Sequence, residues 1–309
     1  MGSLSTRAKG YLITALGVLA VSPDGLLTRF ISADSLTITF WRALLFGLVA
    51  MTFVVLRYRS KTLTVFAGFS WAEYVVMVSY GVGNLLFIYS ITHTSVANTL
   101  FMLSTTPIWA ALIAWLFLKE RVPRRTWVAI GAVLIGIIII TRGSQGKEGA
   151  WLGDLAGLFG AGVLALQFSI IRVAKSRDIL PALAMGGILT GLVLSQFIDP
   201  MSTSNLDLFF LFIMGAVMLP VASSLMFLGP RYIPAPEVSL MMLLETILGP
   251  LWVWLVIREN PGIYSIVGGT IVLLTLAVNT WLGLREDSTR QNVSRTLHSF
   301  SRKKADTKA

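Results

Sequence analysis

Three ionisable residues stand inside stretches that are otherwise apolar: Asp24, Arg42 and Glu245. Holding such a group in hydrocarbon is costly, so its presence points to function or to a partner of opposite sign. At the helical rise per residue, Glu245 falls about 16 Å into its segment, near the middle of a ~30 Å apolar core. By the same rise Asp24 lies about 20 Å from one face and Arg42 about 9 Å from the other, which is the same depth. A carboxylate and a guanidinium at one level form an ion pair, because a buried charge must be partnered. The guanidinium fork also suits the carboxylate of an anionic solute. Glu245 is different, because burial away from water favours the neutral form of a carboxyl group. It is therefore the candidate for proton coupling, or for meeting a substrate amine.

Around these charges lie uncharged polar groups at similar depth, Asn84, Thr105 and Thr106, and aromatic residues able to line a cavity, Tyr80, Trp41 and Trp109. Pro107, Pro220 and Pro250 each remove a backbone donor in mid-segment, which is tolerated where helices bend around a cavity. They are the candidate hinges. Glu120 and Glu259 close two long apolar runs beside Lys119, Arg121 and Arg258. They read as solvated clusters or as gate contacts.

The elements that must position these groups are membrane helices. The chain is 55% hydrophobic and 13% charged with mean hydropathy +0.77, whereas soluble domains carry about 25% charge. Apolar runs are expected to span at roughly 10–30, 36–56, 71–92, 95–118, 124–141, 151–173, 180–198, 206–229, 235–257 and 262–284. The first is kept as a span rather than a signal peptide because a counterpart stands near Trp151. The net charge of +10 does not call for nucleic acid, since most Lys and Arg fall in alternate loops and the tail. That bias places both termini in the cytoplasm. Residues 1–9 and the basic tail 285–309 lie outside the spans, and the tail is too polar to fold alone.

The second half repeats the first. An offset of 139 residues aligns Met102 with Met241, Trp115 with Trp254 and Glu120 with Glu259, and sets Thr106 opposite Glu245. Asp34 through Val49 matches Asp178 through Val193 at an offset of 144. Five spans per unit is an odd number, so the repeats, 10–145 and 150–284, must be inserted upside down. The expected fold is an all-α membrane protein of ten helices in two inverted five-helix repeats, with a site at mid-depth between them. Gly153-xxx-Gly157, Ala156-xxx-Gly160 and Gly187-xxx-Gly191 mark close helix approaches.

An enzyme is disfavoured: the chain has no cysteine, no HExxH, no GxSxG, and only His93 and His298 for a base or a metal. No cofactor and no metal site are expected. The glycine-rich stretches lack a phosphate-binding frame, so energy comes from a gradient or exchange. A passive facilitator, channel or uniporter without ion coupling is the competing reading.

Phe40-Trp41-Arg42, Ser104 to Pro107 with Lys119-Glu120-Arg121, and Leu244-Glu245 in the second copy together resemble the drug/metabolite transporter superfamily, EamA-type. The resemblance runs over residues 8 to 284 and implies a ten-helix carrier moving small organic solutes such as amino acids or related metabolites. It also implies export, alternating access and a bacterial inner membrane location. Protons are the candidate coupling ion, and lipid and a small-molecule substrate the expected partners. Two features depart from the family pattern. Thr246 follows Glu245 where a proline is common, and Arg258 precedes Glu259 instead of following it.

Overall fold

The computed structural model describes residues 6–117, 119, 123–143, 149–173, 178–228, 232 and 241–282. Glu120, the tail 285–309 and the expected start of the ninth span lie outside the described residues. Within them every regular element is a helix. Eight helices are long and apolar enough to cross a membrane, and two shorter apolar ones, Leu180–Leu194 and Glu245–Ile257, fall in the expected seventh and ninth spans.

In chain order, α1 (Thr6–Val21) and α2 (Asp24–Phe30) form the first span, interrupted before Pro23, and α3 (Ser35–Tyr58) forms the second. A short α4 (Thr62–Ala67), not anticipated from the sequence, precedes α5 (Trp71–His93). The fourth span is broken into α6 (Val96–Leu103) and α7 (Thr106–Phe117), followed by α8 (Arg124–Gly143) and α9 (Ala150–Val173). Next comes α10 (Leu180–Leu194), which ends about four residues short of the expected boundary. The eighth span is α11 (Asn205–Phe212), a π-helical stretch Ile213–Met218, and α12 (Leu219–Leu228). The last two are α13 (Glu245–Ile257) and α14 (Gly262–Leu282).

Helix starts follow local chemistry. Asp34 accepts from the Thr37 N–H at 2.6 Å, and Ser95 and Ser204 cap α6 and α11 in the same way. Ser70 and Glu73 form a reciprocal capping box on α5. Such caps satisfy donors that a helix end leaves open, each contributing about 1 kcal/mol.

The hinges differ from expectation. The fourth span breaks at Ser104–Thr105 and the ninth turns at Leu243–Leu244, positions related by the same 139-residue offset. Pro107 sits at the start of α7, but Pro250 lies inside α13, past the turn. Hydroxyls stand in where helical bonds lapse: Ser104, Thr105 and Thr106 donate to the carbonyls of Phe101, Met102 and Leu103 at 2.6–2.7 Å. Thr246 donates likewise to Leu243 at 2.7 Å. The Leu103 carbonyl is the one that the Pro107 nitrogen cannot serve, so Thr106 compensates for the proline. Pro220 follows the π-helical stretch, a feature frequent at functional sites.

Packing between the helices is close. α3 lies along α10, α5 along α9, α1 along α12, and α6 and α7 against α9, while α13 crosses α2 and α6. Glycines set the separations: Gly187 meets the backbone of Ala43 and Gly47, and Gly157 meets Ser90 and Met102. A Gly187→Val substitution would drive side-chain atoms into the α3 backbone, which cannot step aside. Overpacking of this kind costs about 1–3 kcal/mol. The unfolding midpoint in detergent should fall clearly, while Gly131→Ala, where an added methyl meets nothing within 4 Å, should leave it unchanged or higher.

Candidate functional site

The break in the first span and the second span bring the predicted pair together. The Arg42 guanidinium donates from Nη1 to the Asp24 Oδ1 at 2.5 Å, with both side chains 5% exposed. Arg42 also stacks its guanidinium over the Phe87 ring at 5.1 Å. Behind it, Gly215 in the π-helical stretch packs directly on the Arg42 backbone. A Cβ there would come within 2.9 Å of the Leu45 Cβ and 3.1 Å of the Arg42 carbonyl, so this stretch of α3 would have to shift.

Glu245 is the first residue of α13 and lies within the electrostatic reach of both Asp24 and Arg42. Its helix is held to the first span close by: Trp252 Nε1 donates to Ser22 Oγ at 3.0 Å, and Gly249 fits beside Leu100 and the Ser22 carbonyl. Tyr80, Asn84 and Phe87 recur at helical spacing on α5 and share one face. Tyr80 stacks on Phe46 with centroids 5.1 Å apart, one turn along α3 from Arg42. The Tyr80 hydroxyl lies in the field of Arg42 and beside the Asn84 amide. It is buried and, although the Asn84 side chain is close, it makes no well-formed hydrogen bond, and neither does the buried Arg42 Nε.

Other candidates lie elsewhere. Trp41 donates to the Thr203 hydroxyl at 3.2 Å, at the end of the molecule opposite the N-terminus, termed distal here. Trp109 packs on Gly162 of α9. The Thr105 and Thr106 hydroxyl hydrogens serve their own backbone, as described above. Pro250 helps line a crevice with Val96, Ala97, Val253, Glu259 and Pro261.

Glu259 is not the partner of its neighbour Arg258, which caps α13 in a left-handed conformation. Its carboxylate meets Arg29 from the first span at 2.9 Å and accepts from the Val96 N–H at 3.1 Å. Arg29 in turn donates to the Thr94 carbonyl at 2.7 Å. Three distant segments are thus tied at the distal end.

Sequence reasoning passed over two further acids at that end. Asp154, 1% exposed, accepts from the Thr94 hydroxyl at 2.8 Å and from the Asn98 amide at 3.1 Å, and Asn98 in turn accepts from Ser265. Asp207 accepts from the Ser32 hydroxyl at 2.8 Å. Asp154 stands four residues into an apolar run, so the rule that singled out Asp24 would have found it. At the opposite end Asp178 meets Tyr58 at 2.8 Å and Arg57 at 3.0 Å.

Comparison with known proteins agrees with this architecture. Residues 8–142 match the EamA-like transporter family. An uncharacterized transporter of Helicobacter pylori (strain ATCC 700392 / 26695) is 29% identical over 139 residues, 43% of this chain and 45% of that protein. The chain thus matches under half the length of this relative. A crystal structure of another protein superposes with a TM-score of 0.60 at 16% identity, covering 90% of this chain and 98% of that one, a likeness of fold. With its apolar helices, this is an integral multi-pass membrane protein whose residues 8–142 are similar to the EamA-like transporter family.

Proposed function

We propose that the chain is a secondary transporter that exports small organic solutes, such as amino acids or related metabolites, by alternating access. The observation that carries this reading is the buried Asp24–Arg42 pair with the half-buried Glu245 in its reach, two charges from one half and a carboxyl from the other. A site of opposite charges at the junction of two halves can be offered to each side in turn. The interhelical pattern supports inverted repeats. Exchanging the first five spans for the last five carries the contact of α5 with α9 onto that of α12 with α1, and maps the contact of α3 with α10 onto itself. Both termini are assigned to the cytoplasmic side of a bacterial inner membrane, on the distribution of Lys and Arg.

The distal end is then the outer one, and the Arg29–Glu259–Val96 tie is its gate. A hydrogen bond to a charged group contributes about 1.5–3 kcal/mol, so losing it should shift the closed-to-open balance on the order of tenfold or more. The sequence contains no native cysteine, so spin labels can be placed directly at Leu36 and Ile263, both exposed near this end. Glu259→Gln should lengthen the distances between them, and an unaltered distribution would remove the gate.

The reading as a whole is tested with purified protein in liposomes, offered a pooled metabolite mixture with mass spectrometry reading what crosses. Accumulation against a gradient marks a coupled carrier. Equilibration alone would instead mark the passive facilitator.

A further inference from the structure

We infer that Arg42 and Tyr80 together hold the carboxylate of the transported solute, in a slot walled by Phe46 and Phe87. This deepens the carrier reading above and rests on it. The Arg42 Nη1 is committed to Asp24, but its Nε–H finds no acceptor although it is sealed from solvent. The Tyr80 hydroxyl is equally sealed and equally without an acceptor. Buried polar atoms are almost always satisfied, so two unsatisfied donors in one neighbourhood indicate an acceptor that the protein itself does not supply. The Arg42 charge acts on Tyr80, and the Phe46–Tyr80 and Arg42–Phe87 stacks hold both donors between the same pair of helices.

The chemistry selects the guest. An ionised carboxyl is acceptor-only, planar and matched to a guanidinium edge. The neighbouring Asn84 donates from Nδ2 to the Tyr80 carbonyl at 3.4 Å, and its second N–H, close to the Tyr80 hydroxyl, adds a donor to the same acceptor. A phosphate would bring up to two negative charges beside Asp24 and Glu245, whose acids oppose it. The flanking rings suit an apolar remainder. Because both donors are enclosed, the solute enters only after the helices at one end part, as alternating access requires.

The test pairs binding with flux, using full-length protein and matched probes, leucine with leucinamide and benzoate with benzamide. Ligand that binds the folded state raises the unfolding midpoint in detergent, and the same compounds are followed across liposomes. At least one acid should bind and cross, with its amide at least about tenfold weaker in both assays. Tyr80→Phe should weaken that acid about tenfold while changing the ligand-free midpoint little, because the buried hydroxyl makes no well-formed hydrogen bond of its own. A purely structural tyrosine would not move the affinity. The inference is overturned if acid and amide bind alike, if Tyr80→Phe keeps full affinity, or if neither acid binds. Amides crossing as fast as acids would sink the carboxylate slot and leave the carrier standing; an acid that binds but never crosses would sink the carrier alone.

Discussion

Glu245→Gln is expected to abolish accumulation driven by a pH gradient while leaving a folded protein that still exchanges solute for solute. Gln keeps the size and the hydrogen-bonding edge of a protonated Glu but cannot release a proton. Coupled export needs that release, because the carboxyl must take up a proton on the outer side and lose it within. One proton exchanged per solute sustains about tenfold accumulation for each unit of pH imposed, or about 1.4 kcal/mol. In the variant this ratio should fall to one. The sign is fixed: wild-type export should strengthen as the outside is made more acid, and the variant should not respond. Liposomes with imposed pH gradients read both quantities, and accumulation at the wild-type level would remove Glu245 from the coupling step.

The second large effect concerns the ion pair. Removing one member of a buried pair strands the other, at about 3–5 kcal/mol, a large share of the stability of a typical domain. Arg42→Ala and Asp24→Ala should therefore both lower the yield of folded protein and abolish transport. Arg42→Lys keeps the charge but loses the planar fork, so it should fold better and transport weakly. The double variant Asp24→Asn/Arg42→Gln leaves no stranded charge and should recover folding without recovering transport. That split separates the stabilising role of the pair from its part in binding. Equal damage from Arg42→Ala and Arg42→Lys would count against a charge-paired arginine.

The central ion pair of the candidate site was legible in the sequence. Asp24 and Arg42 lie 18 residues apart on different helices, yet depth alone paired them, because an apolar medium leaves two opposite charges at one level few alternatives. The caps at Asp34, Ser70 with Glu73, Ser95 and Ser204 are local as well, although as caps they were not anticipated from the sequence. The hinges were only half readable. Prolines advertise lost donors, but the actual turns fall at 104–105 and 243–244, and serine and threonine hydroxyls take up the freed carbonyls.

The partners of Glu259 were not legible at all. Its neighbour in sequence, Arg258, offered an obvious partner, whereas the true one, Arg29, is 230 residues away. Nothing in either segment records the other, since surface-like charges at helix ends look alike until packing brings two of them together. The same holds for Asp154 and Asn98, 56 residues apart and on opposite halves.

What the sequence by itself determined was the medium and the length scale: apolar runs long enough to cross a bilayer, and three ionisable residues set within them. Those follow from solvation, which acts on each residue where it stands. Only the tertiary structure decided which helix faces which, that the Tyr80 hydroxyl and the Arg42 Nε are both buried without well-formed hydrogen bonds, and that Arg29 fastens Glu259 at the distal end. Hydrogen bonds and ion pairs of that kind act over about 3 Å, so they exist only once the whole bundle has chosen its contacts.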